Sequence, residues 1–131
     1  EDNNVGGELN FTTNNVSIDL TSLNSGEDSA ENDYIFVVVY VSDVSKFLSL
    51  KIEFDQNATY TQANTKYKII PSSDLVTGWN YLKIKKSTFD TRGAGAWSDI
   101  QSYRITAVTF DNAQNAYVSF QLLQLVKKDP L

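Results

Sequence analysis

The chain has 131 residues, a formal net charge of −5 and a pI near 4.5, and 41% of its residues are hydrophobic. That suits one domain with a real core, and the acidic balance lacks the clustered Lys and Arg needed to neutralise phosphates, so nucleic acid is excluded as the expected partner. With no cysteine, histidine or methionine, disulfide frameworks, His/Cys zinc sites, Ser-His-Asp triads and Cys-His dyads are all ruled out, leaving carboxylate chemistry, a Lys or Tyr base, or an oxygen-ligated metal.

Helical patterning is nearly absent, and the informative segments alternate with period two or form short apolar runs bounded by Asn, Asp, Gly and Ser. After Gly6-Gly7, "ELNFTT" and "NVSIDL" read as two short strands, or as one strand bent at Asn14-Asn15. Residues 24–33, "NSGEDSAEND", form a polar acidic loop. "YIFVVVYV", residues 34–41, is the most hydrophobic stretch. It reads as a central strand covered on both faces, with Tyr and Phe on one side and Ile and Val on the other. "FLSLKIEF", residues 47–54, alternates cleanly, with Leu48, Leu50, Ile52 and Phe54 inward and Ser49, Lys51 and Glu53 outward. The short link between these two strands predicts an antiparallel hairpin.

"ATYTQA" and "KYKII" are weaker strands joined by a turn near Asn64, and Pro71 ends the pairing. In "TGWNYLKIKKSTFD", residues 77–90, Leu82 and Ile84 share one face while Tyr81, Lys83 and Lys85 share the other. Trp79 is expected at the edge of the core, a sugar-stacking platform being the alternative, and "STFD" is a turn that tucks Phe89 back. "TRGAGAWSDI" is a glycine-bearing loop closing on a single helical turn, with Trp97 and Ile100 as a plug. "SYRITAVTF" and "AYVSFQLLQLV" are the last two strands, joined by a turn over residues 112–115. Val118 and Phe120 fall on one parity and Leu123 and Leu125 on the other. A bulge near Gln121-Leu122, or burial on both faces, would reconcile them. Eight to ten strands with turn signals every 8 to 12 residues argue for an all-β antiparallel sandwich, a jelly roll of two packed sheets without substantial helix.

From Leu75 to Val126 the pattern L-x-x-GWN-x-L-x-I-x-K-S-x-F, then a glycine-containing loop, then W-S-D-I-x-x-Y-x-I and a closing L-x-L-V resembles the galactose-binding-domain-like jelly rolls. That architecture is shared by many carbohydrate-binding modules. The likeness is greatest to copies on phage tail, tail-spike and receptor-binding proteins and on polysaccharide-degrading enzymes. It is looser over residues 34–60, and residues 1–20 match only in being strand-like. The resemblance implies a single domain over residues 1–131, with a core of about 8–126, belonging to a longer protein. It also implies a virion (tail or fibre) or secreted setting, with which the Cys-free, Asn/Ser/Thr-rich composition is consistent. Many such modules carry, at about Gln121, an aspartate that helps to hold a structural calcium. Gln121 has no charge, Glu8, Asp19 and Asp111 remain as oxygen donors, and there is no dense acidic loop of calcium-binding type. No cofactor is expected, calcium being the alternative.

A pyranose offers a face of C–H groups that suits a flat aromatic beside hydrogen-bonding side chains. By parity the candidates are Tyr81 and Lys83 on one strand, Arg104 and Thr106 on another, and Tyr60 and Tyr67 in polar strands. On one concave sheet face Tyr81, Lys83, Arg104 and Thr106 could meet; an ordinary solvated face is the alternative. Gly93 and Gly95 permit a mobile loop tip on which Arg92 could clamp a carboxylate or an acidic sugar. Glu53 and Asp55 do not make a glycosidase pair from their spacing alone. No enzyme activity is expected. The expectation is a non-catalytic module that binds a cell-surface or wall polysaccharide, as a phage host-attachment domain or as the accessory of a secreted glycoside-degrading enzyme. The alternative is a structural virion module, a spacer, decoration or oligomer contact, whose partners are other subunits or domains of the parent protein. No membrane insertion is expected, since no apolar run approaches the ~18 residues that span a bilayer.

Overall fold

A computed structural model of the chain describes residues 5–16, 34–97, 100–110 and 115–126. The described strands are β1 (Val5–Thr13), β2 (Tyr34–Val41), β3 (Phe47–Asp55), β4 (Thr65–Pro71), β5 (Gly78–Lys85), β6 (Asp90–Arg92), β7 (Ser102–Phe110) and β8 (Val118–Val126). They form a five-stranded sheet in the order β1-β7-β3-β4-β6 and a three-stranded sheet in the order β5-β2-β8. All pairings are antiparallel. The protein is an all-β antiparallel sandwich, as its alternating segments predict. The connections β1–β2, β2–β3, β4–β5, β5–β6 and β7–β8 each pass from one sheet to the other. Among the described residues no helix is long and apolar enough to cross a membrane.

The core lies between the sheets. β2 contributes Ile35, Val37, Val39 and Val41, and β3 contributes Phe47, Leu50, Ile52 and Phe54. Ile105 and Ala107 of β7 join them, while Phe89, Ile100 and Leu75 close the ends. Burying side chains of this kind contributes roughly 1.5–3 kcal/mol each, which is the main term holding the sheets together. Phe89 reaches the core because a 3-10 turn over Lys86–Thr88 folds the chain back after β5. Its ring stands 4.9 Å from that of Trp97, edge to face, and Trp97 in turn lies 5.7 Å from Phe54. Trp97 and Ile100 therefore plug the core, as their spacing predicts.

Several expectations change. The link after β2 crosses to the other sheet instead of closing a hairpin. A five-residue connection can do either, and what decides is that the apolar faces of β2 and β3 must oppose each other. β3 carries a register shift between Phe47 and Ser49 opposite β7. The extra residue, Leu48, is only half-buried, and Phe47 takes the inward place expected for it. Residues 58–63 form bends, not a strand. β2 is buried on its Ile/Val face, but Tyr34, Phe36, Val38 and Tyr40 are half-buried, so its second face is not fully covered. The bulge in β8 is where parity requires it: Val38 pairs with Leu122 and Val39 with Phe120, which skips Gln121. Most of "NVSIDL", the acidic loop 24–33, the residues inside the Trp97–Ile100 turn and most of the 112–115 turn lie outside the described residues.

Candidate functional site

The two outer faces of the sandwich carry the candidate residues, and they are built differently. On the five-stranded sheet the register aligns Thr12, Arg104, Glu53 and Tyr67 in one row across β1, β7, β3 and β4. Asn10, Thr106, Lys51 and Ile69 form the next row. Glu53 has outward parity, yet it is 0% exposed. The Tyr60 phenol donates to its Oε1, Arg92 Nη1 donates to its Oε2 at 2.5 Å, and Gln62 Nε2 donates to Oε1 at 3.3 Å. Lys51 Nζ stands 3.3 Å from the same carboxylate. A buried carboxylate requires such partners, because without them its desolvation would cost far more than a single hydrogen bond returns.

Tyr60 and Gln62 reach Glu53 because Asp55 winds the loop after β3. Its carboxylate, also buried, accepts the backbone N–H groups of Asn57 (2.8 Å), Thr61 (2.9 Å) and Gln62 (3.0 Å). The Tyr60 N–H is fixed in turn by Asn14 Oδ1 at 2.9 Å. Burial pushes both carboxyls up, but hydrogen bonds outweigh it: Tyr60, Arg92 and Gln62 with the Lys51 charge hold Glu53 below its ordinary value, and the loop N–H groups do the same for Asp55. Burial and the neighbouring Glu53 push the Tyr60 phenol well above its ordinary value. Both carboxyls are engaged by the protein's own donors.

Two ring–guanidinium stacks flank Glu53. Arg92 lies 4.4 Å above the Tyr67 ring, and Arg104 lies 4.0 Å above the Tyr60 ring. Arg104 Nε also donates to Thr12 Oγ1 at 2.7 Å, and Thr106 Oγ1 donates to Asn10 Oδ1 at 2.8 Å. The carboxylate that Arg92 clamps is thus the protein's own. The glycine loop beyond it is no mobile tip: a Cβ on Gly95 would stand 2.3 Å from the Thr65 carbonyl oxygen, so the loop is pressed against β4.

On the three-stranded sheet, the outward positions of β5 are Trp79, Tyr81 and Lys83, opposite Tyr40, Val38 and Phe36 of β2. Trp79 is 44% exposed, Tyr81 66% and Tyr117 54%. Trp79 stands edge to face with Tyr40 at 5.3 Å, and Tyr40 stacks with Tyr117 at 5.9 Å. Trp79 and Tyr40 face each other across β5 and β2, Tyr117, just before β8 and opposite Ser42, continues the row diagonally, and Tyr81 lies beside Trp79 along β5. Lys83 Nζ stands 4.7 Å above the Tyr34 ring. The "GWN" triplet sets this presentation. Gly78 has φ +101°, a region that side-chain-bearing residues avoid. Asn80 is buried, accepting from the Val76 N–H at 2.8 Å and donating to the carbonyls of Val76 (2.8 Å) and Gly78 (3.1 Å). With Asn80, Leu82 and Ile84 on the inner face, Trp79 must point out, which corrects its expected place at the core edge.

Of the seven candidates, the structure brings together Arg104, Thr106, Tyr60, Tyr67 and Arg92 on the five-stranded face. Tyr81 and Lys83 lie on the opposite side of the sandwich, so they do not meet Arg104 and Thr106. Glu8 is exposed on β1, while Asp19 and Asp111 lie outside the described residues. Among the described residues no group of three or more acidic side chains is placed to hold a metal. Sequence reasoning missed Glu53 as a buried hub. It also missed the Trp79–Tyr40–Tyr117 row, for which the parity of Leu82 and Ile84 was already the signal. No family model, no curated protein and no solved structure matches the chain.

Proposed function

We propose that the chain is a non-catalytic carbohydrate-binding module, and that its glycan platform is the outer face of the three-stranded sheet. The observation that carries this reading is the exposed row Trp79–Tyr40–Tyr117 with Tyr81 beside it. Rings held at a sheet surface by backbone pairing offer preorganised apolar ring surface to the C–H faces of sugars, at little conformational cost on binding. A row of three rings suits an oligosaccharide better than a single sugar. The resemblance of residues 75–126 to galactose-binding-like jelly rolls points to a polysaccharide of a cell surface or wall, met by a phage tail or fibre or by the accessory domain of a degrading enzyme.

The test is a glycan array and a cell-wall pull-down, followed by calorimetry on whatever binds. Trp79→Ala and Tyr81→Ala are each expected to weaken binding by about tenfold or more, the loss expected for an aromatic anchor, while the fold persists. Absence of binding to every glycan and envelope would overturn the reading. Self-association abolished by Trp79→Ala would then assign the row to a protein contact.

A further inference from the structure

On the five-stranded face the recognition edge of Arg104 points to no acceptor among the described residues. Arg104 is fixed on two sides, by the Tyr60 ring 4.0 Å from its guanidinium carbon and by Thr12 at its Nε. Among the described residues nothing accepts from its two terminal nitrogens. Arg92, by contrast, is committed to Glu53. One row over, Asn10 uses its Oδ1 to accept from Thr106, and among the described residues its amide N–H₂ has no acceptor. Lys51 stands beside Thr106 in the same row, 3.3 Å from Glu53, its one charge contact among the described residues. The fixed guanidinium fork on β7 thus has the Asn10 amide on β1 to one side and the Lys51 ammonium on β3 to the other, both in the adjoining row.

We propose that Arg104, with Asn10 and Lys51, forms a second ligand site, a receptor for the carboxylate of an acidic pyranose, on the face opposite the aromatic row. A planar fork matches a carboxylate in bidentate fashion, and a guanidinium already held in place loses little freedom on binding. The exposed Asn10 amide, whose oxygen the buried Thr106 hydroxyl holds, adds the short polar group that a sugar hydroxyl needs, which favours an acidic sugar over a simple anion. Among the described residues the opposing charges in these rows are Glu53, which Arg92 and Lys51 offset, and Glu8, exposed on β1 one row beyond Asn10.

An NMR titration with methyl glucuronide decides it, with methyl glucoside and acetate as comparison arms. Expected are shifts of the Arg104 Nε–H and Asn10 amide signals with the glucuronide only. Arg104→Gln should abolish them. Asn10→Asp, which keeps the oxygen that accepts from Thr106, should weaken binding at least tenfold by repulsion even if Arg104→Gln proves unstable. Equal shifts with the glucoside, or with acetate, would overturn the proposal, as would unchanged binding in Asn10→Asp. Trp79→Ala should leave the titration unaltered; if it abolishes these shifts, there is no second site. Failure of the aromatic platform is read separately, from neutral glycans, so the two sites stand or fall independently.

Discussion

The two outer faces use the same residue types to opposite ends. On the five-stranded sheet each of Tyr60 and Tyr67 covers a guanidinium, and a buried carboxylate ties the arrangement together. On the three-stranded sheet Trp79, Tyr40 and Tyr117 cover one another only partly and leave ring surface to solvent. The difference traces to Glu53. A carboxylate in the middle of a sheet face draws in a loop, an arginine and a tyrosine to satisfy it, and the rings that follow become its cover. The β2–β5–β8 face has no acidic residue in its strands, so no buried carboxylate there draws in a loop to satisfy it. An aromatic in a polar strand is therefore a poor sign of a binding platform until its neighbours are known.

The strongest way to break this comparison is to remove its cause. Glu53→Ala strips Tyr60, Gln62 and Arg92 of their common acceptor, and Arg92 is 36% exposed, so water compensates part of the loss. The expected cost is about 2–3 kcal/mol, seen as a lower midpoint in chemical denaturation. A change below about 0.5 kcal/mol, the scale of an ordinary surface substitution, would mean that the hub holds nothing.

Acid should act on the same hub more gradually. Glu53 and Asp55 are held below their ordinary values of 4.5 and 3.8 in the folded chain. In the range between folded and unfolded values, the unfolded chain binds more protons, so these groups stabilise the fold above about pH 4.5 and that contribution is lost as pH falls through their folded values. Tyr60 has the opposite sign. Its folded value is raised, so its contribution is present below the ordinary value of 10.0 and is lost as pH rises beyond it. Melting temperature against pH should fall at both ends, and Glu53→Ala should flatten the acid limb. An unchanged acid limb in that variant would refute the assignment.

How much of this was legible in the residues follows from what each feature depends on. β2, β5 and β7 could be read because alternation is local: every second side chain faces the core, and a β-strand enforces that geometrically. The bulge at Gln121 was legible for the same reason, since two parities in one strand need an extra residue. The partner sheet of β2 and β3 was not, because link length says how far the chain travels but not which face it crosses. Glu53 was illegible because outward parity ordinarily means solvent. Its burial depends on Tyr60, seven residues on, and Arg92, thirty-nine residues on, and no periodicity links them. Trp79 is a different case. Its outward parity was readable from Leu82 and Ile84, but the expectation followed the resemblance and placed the ring at the core edge.

The smallest effects should fall on the three-stranded face, and their smallness is what makes them informative. Trp79 loses its edge-to-face contact with Tyr40 when cut to alanine, which costs about 1 kcal/mol. Tyr81 is 66% exposed and has no ring partner among the described residues, so Tyr81→Ala should stay within about 0.5 kcal/mol of the parent. Thermal unfolding of the two variants beside Glu53→Ala checks the order. If Tyr81→Ala destabilised the chain as much as Glu53→Ala, the aromatic face would be a structural surface like its opposite, and a loss of glycan binding in that variant could be put down to unfolding. If the order holds, a binding defect in Tyr81→Ala belongs to the ring itself, since among the described residues no ring contact depends on it.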